Sequence, residues 1–125
     1  MPRAKQLTVQ LANKPGTLAQ VAQSLGKAKV NMRALAVFEG RAKIIADDPA
    51  KGREALQKEG LYASIEDCLT VDMADQPGSL GDICSKLSGA GINIDYAYTG
   101  ITQTPGKAVM VMVVSDLDKA AKIVG

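Results

Sequence analysis

The sequence predicts an α+β fold in which one βαββαβ unit occurs twice along the chain. Residues 7–31 and 69–93 align without a gap, and ten of the 25 aligned positions are identical. Each copy opens on a run in which apolar and polar residues alternate, as in a half-buried strand. Each run ends at a Pro-Gly pair, and apolar residues at helical spacing follow it. Repetition at this period indicates tandem copies of one structural unit.

The first copy divides into six elements, predicted from its apolar spacing and its turn residues. They are a strand at 7–11, a helix after Pro15-Gly16, strands at about 30–38 and 41–46, a second helix, and a short strand at about 62–66. Asp48 is predicted to cap the second helix, with Pro49 in its first position. This order is the ferredoxin-like split βαββαβ unit.

The second copy repeats this order but is predicted to lack the last strand, because Gly125 directly follows its second helix. In a ferredoxin-like unit the last strand lies beside the first, so the strand at 68–73 would keep an open edge. The first copy, a second chain or a disordered end could cover that edge. The predicted domains are residues 1–66 and 67–125.

Composition excludes several classes of function. A net charge of +2 is too small to indicate nucleic acid as the partner. No apolar run approaches the ~20 residues that span a membrane. The chain has no His, which excludes His-based general bases and triads, and no metal site or cofactor is predicted. Cys68 and Cys84 form no CxxC pair, which is typical of free thiols in a cytoplasmic protein.

The pattern strand–x-Asn-Lys-Pro-Gly-Thr-Leu–helix–Val-Asn–strand resembles the ACT domain, the amino-acid-sensing module of allosteric biosynthetic enzymes. In the first copy the resemblance is carried by Asn13, Lys14, Pro15, Gly16, Leu18 and Asn31. In the second copy it is carried by Asp75, Gln76, Pro77, Gly78, Leu80 and Asn93. Asp75-Gln76 departs from the family, which often has Asn and a basic residue there. The resemblance covers nearly the whole chain and implies a stand-alone tandem ACT protein.

The Pro-Gly turns are the predicted ligand sites. The first amides of a helix lack internal partners and carry partial positive charge, so they attract a carboxylate. The family implies that Asn13 and Asn31 contact the ligand, and we expect them to face one cleft. Asp75 would bind an ammonium group in the second copy. The predicted ligand-binding residues are Asn13, Pro15, Gly16, Thr17, Leu18, Asn31, Asp75, Pro77, Gly78, Ser79, Leu80 and Asn93.

A structural interpretation of the same residues remains open. Pro-Gly turns the chain whether or not a ligand binds, and Asn31 and Asn93 could instead satisfy buried backbone groups.

The resemblance implies a non-catalytic regulatory protein. It would sense a free amino acid at the ACT–ACT interface and modulate its own assembly or a partner, such as a biosynthetic or metabolic enzyme. A small unit of this kind is marginally stable alone, so we expect a homodimer. The alternative is an ACT-type protein–protein interaction scaffold without a working ligand site, of which Asp75-Gln76 would be the sign.

Overall fold

The computed structural model describes residues 3–102 and 104–124, which form six strands and four helices. The elements are β1 Arg3–Gln10, α1 Thr17–Lys27, β2 Met32–Phe38, β3 Arg41–Ala46, α2 Pro49–Lys58, β4 Ala63–Ala74, α3 Ser79–Gly89, β5 Ile94–Gly100, β6 Lys107–Val114 and α4 Leu117–Val124. The order βαββα occurs twice, which confirms the α+β class and the repeat. None of the described helices has both the length and the apolar character that crossing a membrane requires.

The chain separates into two compact units. The N-terminal unit is Lys5–Glu66. The C-terminal unit joins Asp67–Gly125 to the beginning of the chain, of which residues 3 and 4 are described. The expected first domain, 1–66, therefore includes residues that lie with the C-terminal unit.

The sheet of the N-terminal unit is centred on β3. Strand β3 pairs antiparallel with β1 on one side and with β2 on the other. The amide of Gln10 donates to the carbonyl of Tyr62 at 3.2 Å, which places the segment leading into β4 on the free side of β1. The helices cover one face of this sheet. The core consists of Leu7, Val9, Val21, Leu25, Val30, Ala42, Ile44, Ala46, Leu56 and Ala63.

The C-terminal unit repeats this arrangement, with β6 pairing antiparallel to both β4 and β5. Its core consists of Leu69, Val71, Ile83, Leu87, Ile92, Met110, Met112 and Ala120. The two strands predicted at 62–66 and 68–73 form one continuous strand, because no Gly or Pro separates them. Cys68 lies in the middle of that strand and is buried, and both cysteines are free thiols.

Arg3 joins the beginning of β1 to the C-terminal unit. One guanidinium nitrogen donates to the Asp118 carboxylate of α4, and the other lies 3.9 Å from a carboxylate oxygen of Asp67 in β4. The structure groups residues 3 and 4, which belong to the first strand of the first copy, with the C-terminal unit.

Candidate ligand-binding site

The turn between β1 and α1 depends on Gly16. This residue is the N-cap of α1 and has φ of 93°, in the left-handed region that glycine adopts without a steric cost. Gly78 occupies the same position before α3, with φ of 92°. Among the described residues, no side chain accepts a capping hydrogen bond from the first amides of α1 or α3. Both helices therefore begin without a side-chain cap, as an anion site at a helix N-terminus requires.

Hydrogen bonds inside the turn fix its shape. The hydroxyl of Thr17 donates to the carbonyls of Ala12 and Lys14, at 2.9 and 3.2 Å. The amide of Lys14 also donates to the Ala12 carbonyl, at 2.9 Å. The predicted ligand residue Thr17 therefore has a structural role as well, since its hydroxyl closes the turn.

A cavity of about 320 Å³ lies beside this turn in the N-terminal unit. Its walls are the β1–α1 turn and the hairpin between β2 and β3. It is lined by Leu11, Ala12, Asn13, Thr17, Leu18, Val37, Phe38, Glu39 and Gly40. Three predicted site residues, Asn13, Thr17 and Leu18, therefore line one cavity. Pro15 and Gly16 shape the adjoining turn but are not among the lining residues.

The pairing of the strands explains why the hairpin forms the second wall. Gln10 at the end of β1 and Phe38 at the end of β2 are both paired with Arg41 of β3. Glu39 and Gly40 turn the chain tightly, with φ of 50° and 73°. The amide of Leu11 donates to the Gly40 carbonyl at 2.8 Å, which holds the hairpin against the turn. Local sequence patterns missed the hairpin residues, because only the register of three strands brings them here.

Asn31 lies at the other end of the sheet, which corrects the expectation that it faces one cleft with Asn13 in this unit. It directly precedes β2, whose first residue Met32 pairs with Ala46 at the end of β3. The Asn31 amide donates to the Asp47 carboxylate at 3.0 Å, and the Asp47 amide donates to the Asn31 carbonyl at 3.0 Å. These bonds give Asn31 a backbone-linking role within the unit.

Asn93 has the same place in the C-terminal unit, before β5 and away from the Asp75 turn. Its amide donates to the Ser115 hydroxyl at 2.9 Å, and the Ser115 amide donates to the Asn93 carbonyl at 2.9 Å. Its side-chain amide donates to the Asp95 carboxylate at 3.0 Å. Within this unit, therefore, Asn93 does not share a cleft with Asp75 either.

The corresponding end of the C-terminal unit is built differently. By the repeat, Thr99 and Gly100 stand where the N-terminal unit has Val37 and Phe38. The β4–β6 ladder continues to Ala74, which pairs with Lys107, and the amide of Asp75 donates to the Gly106 carbonyl at 2.9 Å. The predicted residues Asp75, Pro77, Gly78, Ser79 and Leu80 follow one another along this turn. The two repeats therefore keep the same turn but differ in the wall opposite it.

Comparison with known proteins supplies the family. The family model described as "ACT domain pair" matches residues 3–124. No curated protein sequence matches the chain. Among solved structures, protein BT0572 from Bacteroides thetaiotaomicron has a TM-score of 0.89 at 31% identity, over 97% of this chain and 85% of that one.

Two further structures share the fold at lower identity. The regulatory subunit of aspartate kinase from Thermus thermophilus has a TM-score of 0.68 at 15% identity, over 98% of this chain and 89% of that one. The corresponding subunit from Thermus flavus has a TM-score of 0.67 at 17% identity, over 99% and 88% of the two chains. Because the family match covers nearly the whole chain, the protein belongs to the ACT domain-pair family.

Proposed function

We propose that this protein is a non-catalytic regulator that binds a free amino acid at the β1–α1 turn. The single observation that carries the proposal is the cavity of about 320 Å³ beside the uncapped beginning of α1. Its size is at the lower end of the ~300–1,000 Å³ common for small-molecule sites. A cavity of this kind suits a molecule as small as an amino acid.

The turn provides groups of the polarity that an amino acid needs. The first amides of α1 carry roughly half a positive charge between them, so the ligand carboxylate is directed to them. Asn13 lines the same cavity, and its carboxamide can both donate and accept hydrogen bonds. Gly16 has no side chain to obstruct the approach, and a Cβ built there would meet nothing within 4 Å.

Binding becomes regulation only if the ligand prefers one of two states of the protein. The two states are either two oligomeric states of this protein or two states of a partner enzyme. The Thermus structures are regulatory subunits of aspartate kinase, which favours a metabolic enzyme as the partner. The protein itself would carry out no chemistry.

The second candidate is an interaction scaffold without a working ligand site. It is favoured by the apolar side chains of Leu35 and Val37, which project from one face of β2 and are exposed. Exposed apolar groups that lie together are typical of protein–protein contacts.

Thermal unfolding with each of the twenty amino acids separates the two candidates. A ligand present at 100 times its dissociation constant stabilises the folded state by ~2.7 kcal/mol. We expect a shift from one chemical class of amino acid and a weaker one from the amide of the same compound, which lacks the carboxylate. If none of the twenty shifts the transition, the sensing proposal is wrong and the scaffold is favoured.

A further inference from the structure

We propose that the cavity of the N-terminal unit selects an amino acid with an apolar side chain, and that each chain binds one such ligand. This inference rests on the proposed function and adds the class of ligand and the unit that binds it.

The first argument is the chemistry of the walls. Four of the lining residues are large and apolar: Leu11, Leu18, Val37 and Phe38. Leu18, Val37 and Phe38 remain 37%, 46% and 40% exposed. An apolar ligand side chain would remove part of this surface from water, which is favourable in proportion to the area covered. The exposed apolar wall therefore favours a ligand whose own side chain is apolar.

The second argument is the charge of the lining. No Lys or Arg is among the lining residues, and Glu39 is the one charged residue among them. An acidic ligand side chain would find no cation and would be repelled by Glu39. With the ligand carboxylate at α1, Glu39 is the partner for the α-ammonium group, in a charge-assisted hydrogen bond. A basic side chain would bring a second cation, which would have to enter an apolar wall without a partner at high cost.

The third argument is the difference between the repeats. Thr99 and Gly100 replace Val37 and Phe38, so the C-terminal unit lacks the two apolar residues that end β2. The extended β4–β6 ladder and the bond from Asp75 to Gly106 lie beside its turn. This pair of apolar wall residues is therefore specific to the N-terminal unit, which is why we expect one binding event per chain.

The test is isothermal titration calorimetry on the full chain with leucine, methionine, phenylalanine, alanine, serine, aspartate and lysine. We expect a large apolar amino acid to bind most tightly, with one ligand per chain. Alanine should bind at least about tenfold more weakly, because one methylene in an apolar pocket already changes affinity about tenfold or more. Aspartate and lysine should bind more weakly still.

Leu18→Ala and Leu80→Ala form a matched pair of variants. The two leucines hold equivalent positions at the beginning of α1 and α3 and are 37% and 44% exposed, so neither change should prevent folding. We expect Leu18→Ala to weaken binding of the apolar ligand at least about tenfold. Leu80 was predicted from the repeat as a ligand residue of the C-terminal unit, so Leu80→Ala separates the two assignments: a single site in the N-terminal unit predicts no loss of binding, and a second site predicts a loss equal to that of Leu18→Ala. Glu39→Gln, which keeps the shape of the side chain, should also weaken binding.

The outcomes distinguish this inference from the proposed function. Tighter binding of a polar or charged amino acid would overturn the inference and leave the proposed function standing. Two ligands per chain, or equal losses from Leu18→Ala and Leu80→Ala, would overturn the assignment to the N-terminal unit. If no amino acid binds at all, the proposed function and the inference both fail.

Discussion

Gly16 shows how backbone conformation alone constrains a residue. Its φ of +93° is unfavourable for a residue with a Cβ, although a Cβ there would meet nothing within 4 Å. We expect Gly16→Ala to lower the free energy of unfolding by ~1–2 kcal/mol through the backbone alone. Urea denaturation, monitored by circular dichroism, measures the change.

Gly26 is the matched control in the same helix. A Cβ there also meets nothing within 4 Å, but α1 imposes no positive φ at this position. Gly26→Ala should therefore raise the free energy of unfolding, by up to about 1 kcal/mol, through helix propensity. Equal effects of the two substitutions would show that the left-handed turn does not set the requirement at Gly16.

Residue-level predictions are accurate where the cause is local. Asp48 caps α2 as predicted, since its carboxylate accepts the Lys51 amide at 3.1 Å. Asp116 does the same for the Lys119 amide before α4, at 3.1 Å. Both caps depend only on residues three positions apart. The place of Asn31 depends instead on the direction of β2, which the local pattern does not contain, and within one unit Asn31 lies at the opposite end of the sheet from Asn13.

Lys43 is another feature that local pattern does not predict. A charged residue alternating with apolar ones suggests a solvent-facing position, but Lys43 is only 6% exposed. Its ammonium group donates to the Thr8 hydroxyl at 3.0 Å and lies 3.7 Å from the Glu66 carboxylate. Burial of a cation requires such partners, and the pairing of Thr8 with Lys43 across β1 and β3 provides one of them.

Among the elements, β1 is unusual because its first two residues lie with the C-terminal unit. A double-mutant cycle of Arg3→Ala and Asp118→Ala tests this anchoring. The side chains of Arg3 and Asp118 are 43% and 81% exposed, so we expect a coupling of ~0.2–1 kcal/mol in low salt. The coupling should fall in 1 M salt, where the screening length is ~3 Å.

Urea denaturation of the four proteins in the cycle gives the coupling. The coupling between Lys58 and Glu54 is the reference, because these residues lie four positions apart in the same helix, α2, and their ion pair joins no two elements. A coupling of zero between Arg3 and Asp118 in low salt would contradict the anchoring of β1 at α4.

The helices and strands were largely predictable, but the place where one strand continues past its predicted end was not. Strand β3 has the predicted bounds, because alternation and the flanking turn residues define it. The fusion of two predicted strands into β4 was missed, since nothing in the sequence sets a strand's length where no breaker ends it. The grouping of residues 3 and 4 with the C-terminal unit was missed as well, because those residues lie some sixty positions away along the chain.

At the scale of the whole molecule, duplication explains which features of the fold the repeat predicts and which differences between the two copies it does not predict. Two copies with the same strand–turn–helix order made the fold predictable from self-similarity alone. The same similarity suggested two equivalent ligand sites. The cavity wall of the N-terminal unit contains Val37 and Phe38, whereas the second copy has Thr99 and Gly100 at the equivalent positions and a longer connection between the two strands. Differences between the repeats are therefore more informative about function than their identities.

Self-association is the last prediction at this scale. Leu35 and Val37 lie on one face of β2 and are 41% and 46% exposed. Neighbouring exposed apolar residues favour a contact with another chain, and a symmetric dimer is the commonest result. We expect size-exclusion chromatography with light scattering, at micromolar concentration, to give twice the mass of the chain. Leu35→Asp should return it to the mass of one chain, because a symmetric contact would bury the new charge twice.

Leu35 is the informative position because it does not line the cavity, whereas Val37 does. Leu35→Asp should therefore abolish the dimer while amino-acid binding by one chain persists, unless the ligand prefers the dimer. If the ligand does prefer the dimer, the monomeric variant should bind the amino acid more weakly than the wild type. Because the two equilibria are linked reciprocally, this loss of affinity equals the factor by which the ligand strengthens dimerisation. A wild-type protein that has the mass of one chain at micromolar concentration, or a Leu35→Asp variant that remains a dimer, would contradict association through β2.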